Sequence, residues 1–458
     1  MTDPLDPRPS TPDDPSEHPT PGEHDPSPGH DTTPAPVDAE AAPAPDPAAK
    51  TATAAKPAPS LLRNHNYRLF LVAQFSGGTG VWMLRLSQDW LVLQLTQSPA
   101  AVGVVVALQF LPLLAFGPMG GVIADRHDKR RLVMGAQGTA AVLAAVLASL
   151  TIAGLVTVPL IYCFAFLLGC VAVIDQPARQ VLVNELVGDG MLRSAISTNN
   201  ALNQLSGMVG PAIAGALIHQ VGQGWAFAAN SALCLVVVTL FGLMRVREMT
   251  RVPVVARAKG QLREGARYIL DRPRLMWVVV LAGLMGAFGM NGPVVLAAFA
   301  DFEWQTGSGG FGLYNSVSAV GGLVGAVTAA RLRNLRVRTV VIGAGIFAVA
   351  EGVGALSPNH AVFLVMLSVI GAATMFFLTS AATYVQLSAA PKVRGRVMAF
   401  YMPLLLGGHA AGGLIQGAFT EHLGVRGGLV LTGVCGLVAT AVVALALRAH
   451  RERAGRQG

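Results

Sequence analysis

The stretch Gly121-Val122-Ile123-Ala124-Asp125-Arg126-His127-Asp128-Lys129-Arg130-Arg131 decides the fold. It joins an apolar run ending near Ile123 to another beginning at Leu132, and the turn between them carries two carboxylates and four basic groups. If both runs cross a bilayer, this is a tight hairpin at a membrane face. Short loops rich in Lys and Arg are retained inside, so that face is expected to be cytoplasmic. An aspartate at the end of one helix can also accept from the free N–H groups that open its neighbour.

Composition points the same way. The 458 residues are 52% hydrophobic and only 13% charged, with a mean hydropathy of +0.53. Soluble domains carry about 25% charge, so an all-α membrane protein is expected. The net charge of +8 sits in loops between apolar runs, which argues for topology and against nucleic acid. Abundant Ala and Gly, with Arg favoured over Lys, fit a GC-rich bacterial gene. Cys163, Cys170, Cys234 and Cys435 all fall inside apolar runs without C-x-x-C spacing, so neither a disulfide frame nor a zinc site is indicated. There is no Gly-Lys dipeptide for a Walker A loop, no H-E-x-x-H and no G-x-S-x-G. No catalytic residues, metal or cofactor are expected, and no enzyme.

Residues 1–60 are rich in Pro, Asp and Ala, without a sustained apolar run. Such a segment cannot offset its chain entropy and is expected to be a disordered cytoplasmic tail, not a signal peptide. Six spans are expected next, near 68–95, 101–123, 132–154, 158–180, 193–218 and 225–244. Six more follow near 275–299, 311–331, 338–356, 361–386, 396–418 and 428–447. Cations fill alternate loops, at Arg126 to Arg131, Arg193, Arg245 to Arg274, Arg331 to Arg338 and Lys392 to Arg396. Arg426 alone falls in a loop expected outside. Both termini are therefore expected in the cytoplasm of a multi-pass protein of the bacterial plasma membrane. The stretch 245–274 reads as a basic linker, with Leu262, Ala266 and Ile269 on one side of a possible interfacial helix. It separates halves at 61–244 and 275–447, and 448–458 is a basic tail.

Gly207, Pro211 and Gly215 recur every four residues in the fifth span, and Gly408 and Gly412 do so in the eleventh, as do Gly413 and Gly417. Such spacing lets helices pack closely and suits a sliding surface.

The order Gly121-x-x-x-Asp125-Arg126-x-x-Lys129-Arg130 resembles the loop between the second and third helices of the major facilitator superfamily, Gly-x-Leu-Ala-Asp-Arg-x-Gly-Arg-Lys. Asp128 stands where that pattern has its second Gly, so the turn cannot rely on glycine's free φ there. Further matches are Asp89 to Thr96, Pro177-Ala178-Arg179-Gln180, Glu264-Gly265-Ala266-Arg267-Tyr268 and Arg394-Gly395-Arg396-Val397, while Gly210-Pro211 resembles part of the antiporter motif. Together, over residues 63–447, they resemble the drug:proton antiporter branch that includes macrolide efflux pumps and the enterobactin exporter. The resemblance implies twelve transmembrane helices in two six-helix pseudo-repeats. It implies a monomer in the lipid bilayer exporting a small amphipathic molecule, drug or natural product, by proton antiport. Siderophore export or a non-transporting receptor role are the alternatives.

A charge at membrane depth costs about 2.5–3.5 kcal/mol, so each is a functional candidate. Arg85 and Asp89 lie four apart and can pair on one helix face. At 1.5 Å per residue from Arg68, Arg85 sits roughly 25 Å along, with Asp89 towards the outer interface. They read as a structural pair or as a proton or substrate site. By the resemblance, Arg126 pairs with Asp175, and Asp125 faces the start of the eleventh span near Arg394 and Arg396, forming a latch that closes the inner gate. Glu351 reads as structural in a peripheral ninth helix. His409 titrates near neutrality in principle, though an interhelical bond suits it as well. Asn291, Asn200, Asn203 and Gln204 are possible cavity hydrogen-bonders, and Asp301 and Glu303 are expected in an exposed outer loop. The second-half counterpart of the acidic turn, Arg331-Leu332-Arg333-Asn334, has lost its aspartate.

Overall fold

The computed structural model describes residues 64–187, 191–245, 261–290, 292–332, 334–390 and 393–456. The N-terminal tail, the linker before residue 261, and Asn291, Arg333 and Lys392 lie outside them.

Among the described residues every regular element is helical: α1 (His65–Thr96), α2 (Pro99–Arg126), α3 (Lys129–Ile152), α4 (Val158–Val187), α5 (Leu192–Val221), α6 (Gln223–Gly242), α7 (Gln261–Leu270), α8 (Pro273–Phe288), α9 (Gly292–Ala298), a π turn (Phe299–Glu303), α10 (Gly307–Ala330), α11 (Val337–Ala355), α12 (His360–Ser388) and α13 (Arg394–Arg456). Ten stretches are long and apolar enough to cross a membrane, with α8, α9 and the π turn forming one of them. α13 is two helices meeting at Gly424, whose φ of 75° interrupts the ladder. α1 is more polar because of Arg68, Arg85 and Asp89, but its 32 residues span easily. Twelve crossings result.

The same turn chemistry occurs twice. Gln97 (φ 53°) ends the first crossing and Gln305 (φ 48°) the seventh, the two non-glycine residues at positive φ among those described. Gly222 (φ 94°) joins the fifth crossing to the sixth, and Gly424 joins the eleventh to the twelfth. A left-handed φ at matching places, twice over, fits two halves of one plan. Within the first half α2 packs on α4, α3 on α6, and α1 on α5 and α6; within the second, α8 packs on α13, α10 on α12, and α11 on both α12 and α13. Across the halves α2 meets α13, and α5 meets α10.

Lipid is as apolar as a leucine side chain, so close packing and polar bonds hold these helices together. A Cβ added to Gly103 would lie 2.2 Å from the Gly413 carbonyl oxygen, and one on Gly417 2.8 Å from the Pro99 oxygen, so α2 and α13 touch backbone to backbone. Gly215 meets Ser308 and Gly312 of α10 in the same way. The fourfold spacing keeps one partner at Pro211 and Gly215 (α10) and at Gly413 and Gly417 (α2), but not throughout. Each four-residue step turns about 40° past a full circle, so Gly207 and Gly210 face Trp82 of α1, and Pro211 and Gly215 face α10. Likewise Gly408 faces Gly283 of α8, Gly412 is buried, and Gly413 faces Gly103 across the halves.

The seventh crossing departs from a continuous helix. α8 stops at Gly289, whose N–H bonds to Met285 O, and α9 restarts at Gly292. Pro293 has no N–H to continue the ladder and biases Gly292 away from helical φ/ψ. Gly289 permits the break to press on α11, since a Cβ there would lie 2.2 Å from the Phe347 ring.

Candidate functional site

A cavity of about 260 Å³ lies between the halves. Its first-half wall includes Trp82, Arg85 and Asp89 of α1, Gln109 and Phe110 of α2 and Gln204 of α5. The second-half wall includes Met290 and Pro293 at the break, Phe311 of α10, Glu351 of α11 and His409 of α13. Broken backbone at membrane depth is tolerated where it lines a cavity, and the break at 289–292 does so. Asn291 lies outside the described residues.

Asp89 is only 2% exposed. α1 runs on to Thr96, which leaves Asp89 roughly 10 Å short of the helix end and away from the outer interface. Its Oδ1 accepts from Gln109 Nε2 at 3.3 Å, and the same nitrogen donates to Gln88 Oε1 at 3.2 Å. The expected Arg85–Asp89 ion pair does not form. Arg85 instead stacks its guanidinium 4.6 Å from the Phe110 ring centre and 5.9 Å from that of Trp82, contacts that attract a cation to a π face.

His409 packs edge-on against Phe110 from the opposing half, with ring centres 4.5 Å apart, and its Nδ1 has no hydrogen-bond partner. An interhelical hydrogen bond was the expectation; the contact is an aromatic one on the cavity wall. Glu351 corrects a second expectation. Instead of sitting in a peripheral helix, it borders the cavity beside the α8–α9 break, 6% exposed, with Oε2 unbonded. Of the α5 amides, Gln204 lines the cavity, whereas Asn200 and Asn203 are exposed.

The α2–α3 turn is built from its own charges. His127 ends α2 by donating its N–H to Ile123 O. Asp128 caps α3, its Oδ1 accepting from Arg131 N at 2.9 Å, with φ at −64°. No glycine conformation is needed there, and a carboxylate at a helix start is favoured. Arg130 donates to Phe241 O and Gly242 O at 2.5 and 2.7 Å, closing the last turn of α6 with a cation. Lys129 pairs with Glu185 of α4 at 3.3 Å, both largely buried. The expected Arg126–Asp175 pair is therefore replaced: Arg126 points to the surface, and the acid that meets this turn is Glu185, ten residues further along α4. Asp175 pairs with Arg179 on its own helix at 2.8 Å, and Arg179 also donates to Gln74 Oε1 at 3.3 Å. Gly121 and Asp125 are half-buried at the end of α2. Arg394 is exposed, and Arg396 pairs with Glu264 of α7.

Bonds between halves gather on the face away from this turn. Glu421 accepts from Ser98 Oγ and from Ala100 N (3.1 Å) at the start of α2. Gln94 donates to Asp301 Oδ1 at 3.0 Å, and Ser316 Oγ to Met208 O at 2.8 Å. Asp301 and Glu303 are thus half-buried and bonded, Glu303 to Arg426 at 2.6 Å, and not free loop acids. Glu185, Arg179, Gln109 and Glu421 went unnominated. The signal available was polar residues at the ends of apolar runs and the Gly289-to-Pro293 interruption.

A family model described as transmembrane secretion effector matches residues 55–455. The chain is similar to the Staphyloferrin A transporter of Staphylococcus aureus (22% identical over 338 residues, 73% of this chain and 85% of the relative). It is similar to Macrolide efflux protein A of Streptococcus pyogenes (22% over 362 residues, 77% and 88%) and to the enterobactin exporter of Shigella flexneri (24% over 278 residues, 60% and 65%). Among solved structures, a bacterial homologue of the human lysosomal transporter Spinster, inward-facing and unoccupied, superposes with a TM-score of 0.68 at 15% identity, covering 84% of this chain and 97% of that one. The nucleoside transporter NupG superposes with 0.68 at 13% identity, covering 84% and 99%. The chain belongs to the transmembrane secretion effector family of the major facilitator superfamily.

Proposed function

We propose that this protein exports a small amphipathic molecule by proton antiport and alternating access, with Asp89 the group that trades its proton against substrate. The observation that carries this reading is a carboxyl buried in the wall of a cavity between two halves, bonded there by a single amide, Gln109. Trp82, Phe110, Phe311 and Met290 offer the apolar surface that an amphipathic molecule needs. With the basic α2–α3 turn on the cytoplasmic side, the arrangement is closed outside by Ser98–Glu421 and Gln94–Asp301. Export requires those bonds to break as the halves rock, while Asp125 and the Arg394 region come together inside.

Two relatives are named for siderophores, which supports a second reading: a siderophore exporter using Arg85 as its anion contact. A non-transporting receptor would not need a gated cavity. Dye, macrolide and siderophore accumulation in expressing cells, with and without an uncoupler, separates these. Uncoupler-sensitive lowering of dye or macrolide supports the first reading, and lowering of siderophore alone supports the second. Unchanged accumulation of all three sinks both.

A further inference from the structure

A second cavity, about 70 Å³, lies inside the first half and not between the halves. Arg85, Gln88, Gln109, Gln137, Asp175 and Asn230 line it. Four of its wall atoms have no hydrogen-bond partner: Gln88 Nε2, Gln137 Oε1 and Asn230 Nδ2, in residues each at least 97% buried, and Asp175 Oδ1, whose side chain is 12% exposed. Buried polar groups are almost always satisfied, so four around one space call for a small polar occupant. The amides present donors as well as acceptors whichever way they turn. A metal ion wants acceptors only, whereas water takes both. At about 15 Å³ of cavity per molecule, the space holds roughly four to five waters.

Arg85 and Gln109 line both this chamber and the central cavity, and Gln109 Nε2 touches Asp89 on one side and Gln88 on the other. We infer that the chamber holds a short water chain that carries a proton between Asp89 and Asp175, making Asp175 a second proton site of the carrier. This rests on the antiport reading above. Asp89 lines the central cavity and not the chamber, so Gln109, which walls both, must first turn aside; the O–H bond of Asp89 then breaks as the first water takes its proton. Each water passes one proton on and keeps its own count, and an O–H bond forms at Asp175 Oδ1. The charged or titratable groups facing Asp175 are Arg179 of α4, Arg85 of α1 and Cys234 of α6; α2 and α3 contribute the neutral Gln109 and Gln137. Such a route leaves Asp89 able to lose its proton even when substrate fills the central cavity.

The test uses the purified full chain and no substrate. Infrared spectra at acidic pH, followed through H₂O-to-D₂O exchange, should contain one carboxyl band missing in Asp89→Asn and another missing in Asp175→Asn. Gln137→Leu with Asn230→Leu, which fills the chamber with carbon, should slow exchange of the Asp175 band at least tenfold and leave the Asp89 band unchanged. An Asp175 band that exchanges as fast in the plugged variant overturns the inference. Absence of an Asp89 band with an intact Asp175 effect would count against the antiport reading instead. Hydroxyl-radical footprinting of the unsubstituted chain guards against a variant that misfolds. Cys234, 6% exposed on the chamber wall, should be labelled at least tenfold faster than Met83, which is 1% exposed and lines neither cavity. Equal protection of the two also overturns the inference.

Discussion

Alanine at Gly103 should push the halves apart on the outer face. Its Cβ would sit 2.2 Å from the Gly413 carbonyl oxygen and 2.9 Å from the carbonyl carbon. Both are backbone atoms, so no rotamer change relieves the clash. Ordinary contact is about 3.5 Å, which requires α2 and α13 to separate by roughly 1 Å. Overpacking by a methyl group costs about 1–3 kcal/mol. At about 1.4 kcal/mol per tenfold, the outer-closed state loses roughly 5- to 150-fold in population. Spin labels at Leu155→Cys and Leu356→Cys report the change, since both positions are exposed on the face away from the α2–α3 turn, one in each half. Serine replaces the four native cysteines in this background. Double electron–electron resonance should show the distribution moving to longer distances, with export falling alongside. Gly135→Ala is the matched control, because nothing lies within 4 Å of its Cβ, and helix propensity favours alanine by up to about 1 kcal/mol. If Gly103→Ala leaves both distance and export at the Gly135→Ala level, the closed contact between α2 and α13 is not what holds the outer gate.

Three further outcomes are expected. Glu185→Ala, which leaves Lys129 buried without its acid, should cost about 3 kcal/mol and lower the melting temperature in detergent, while Lys129→Met with Glu185→Leu should recover most of it; an unchanged melting temperature in the single variant would show that the pair is not structural. Glu421→Ala removes the bonds to Ser98 Oγ and Ala100 N and should loosen closure of that face. The 155–356 distance should therefore lengthen in that variant; an unchanged distance would rule out the Ser98–Glu421 clasp. Asp125→Asn should keep membrane expression while abolishing export, and normal export by that variant would remove Asp125 from the inner gate.

Much of the architecture was legible because each span announces itself by length and alternate loops by their cations. The α2–α3 turn could be placed from residues 121–131 alone. Its partners could not. The resemblance offered Asp175 as the acid on α4, but the turn reaches the end of that helix, where Glu185 sits, and Asp175 is taken up four residues later by Arg179. Arg85 and Asp89 had the right spacing to pair, yet Phe110 and Gln109 from α2 compete for them, and α2 is far from α1 in that register only in sequence. Glu351 was missed for a related reason. Its place on the cavity wall depends on the seventh crossing breaking at Gly289, and an apolar run gives little sign of a break other than Gly289, Gly292 and Pro293 themselves. The fourfold glycine pattern was visible, but not which neighbour each residue meets: Gly207 meets α1, whereas Pro211 and Gly215 meet α10.

The most direct trial of proton-coupled export through Asp89 uses vesicles containing the purified protein, a sealed pH dye and the compound most strongly exported in the cell panel. With an imposed pH gradient, the wild type should move compound and protons in opposite directions, and Asp89→Asn should bind compound but move neither against the gradient. Gradient-driven export by Asp89→Asn at the wild-type rate, or wild-type export without proton movement, would contradict the mechanism.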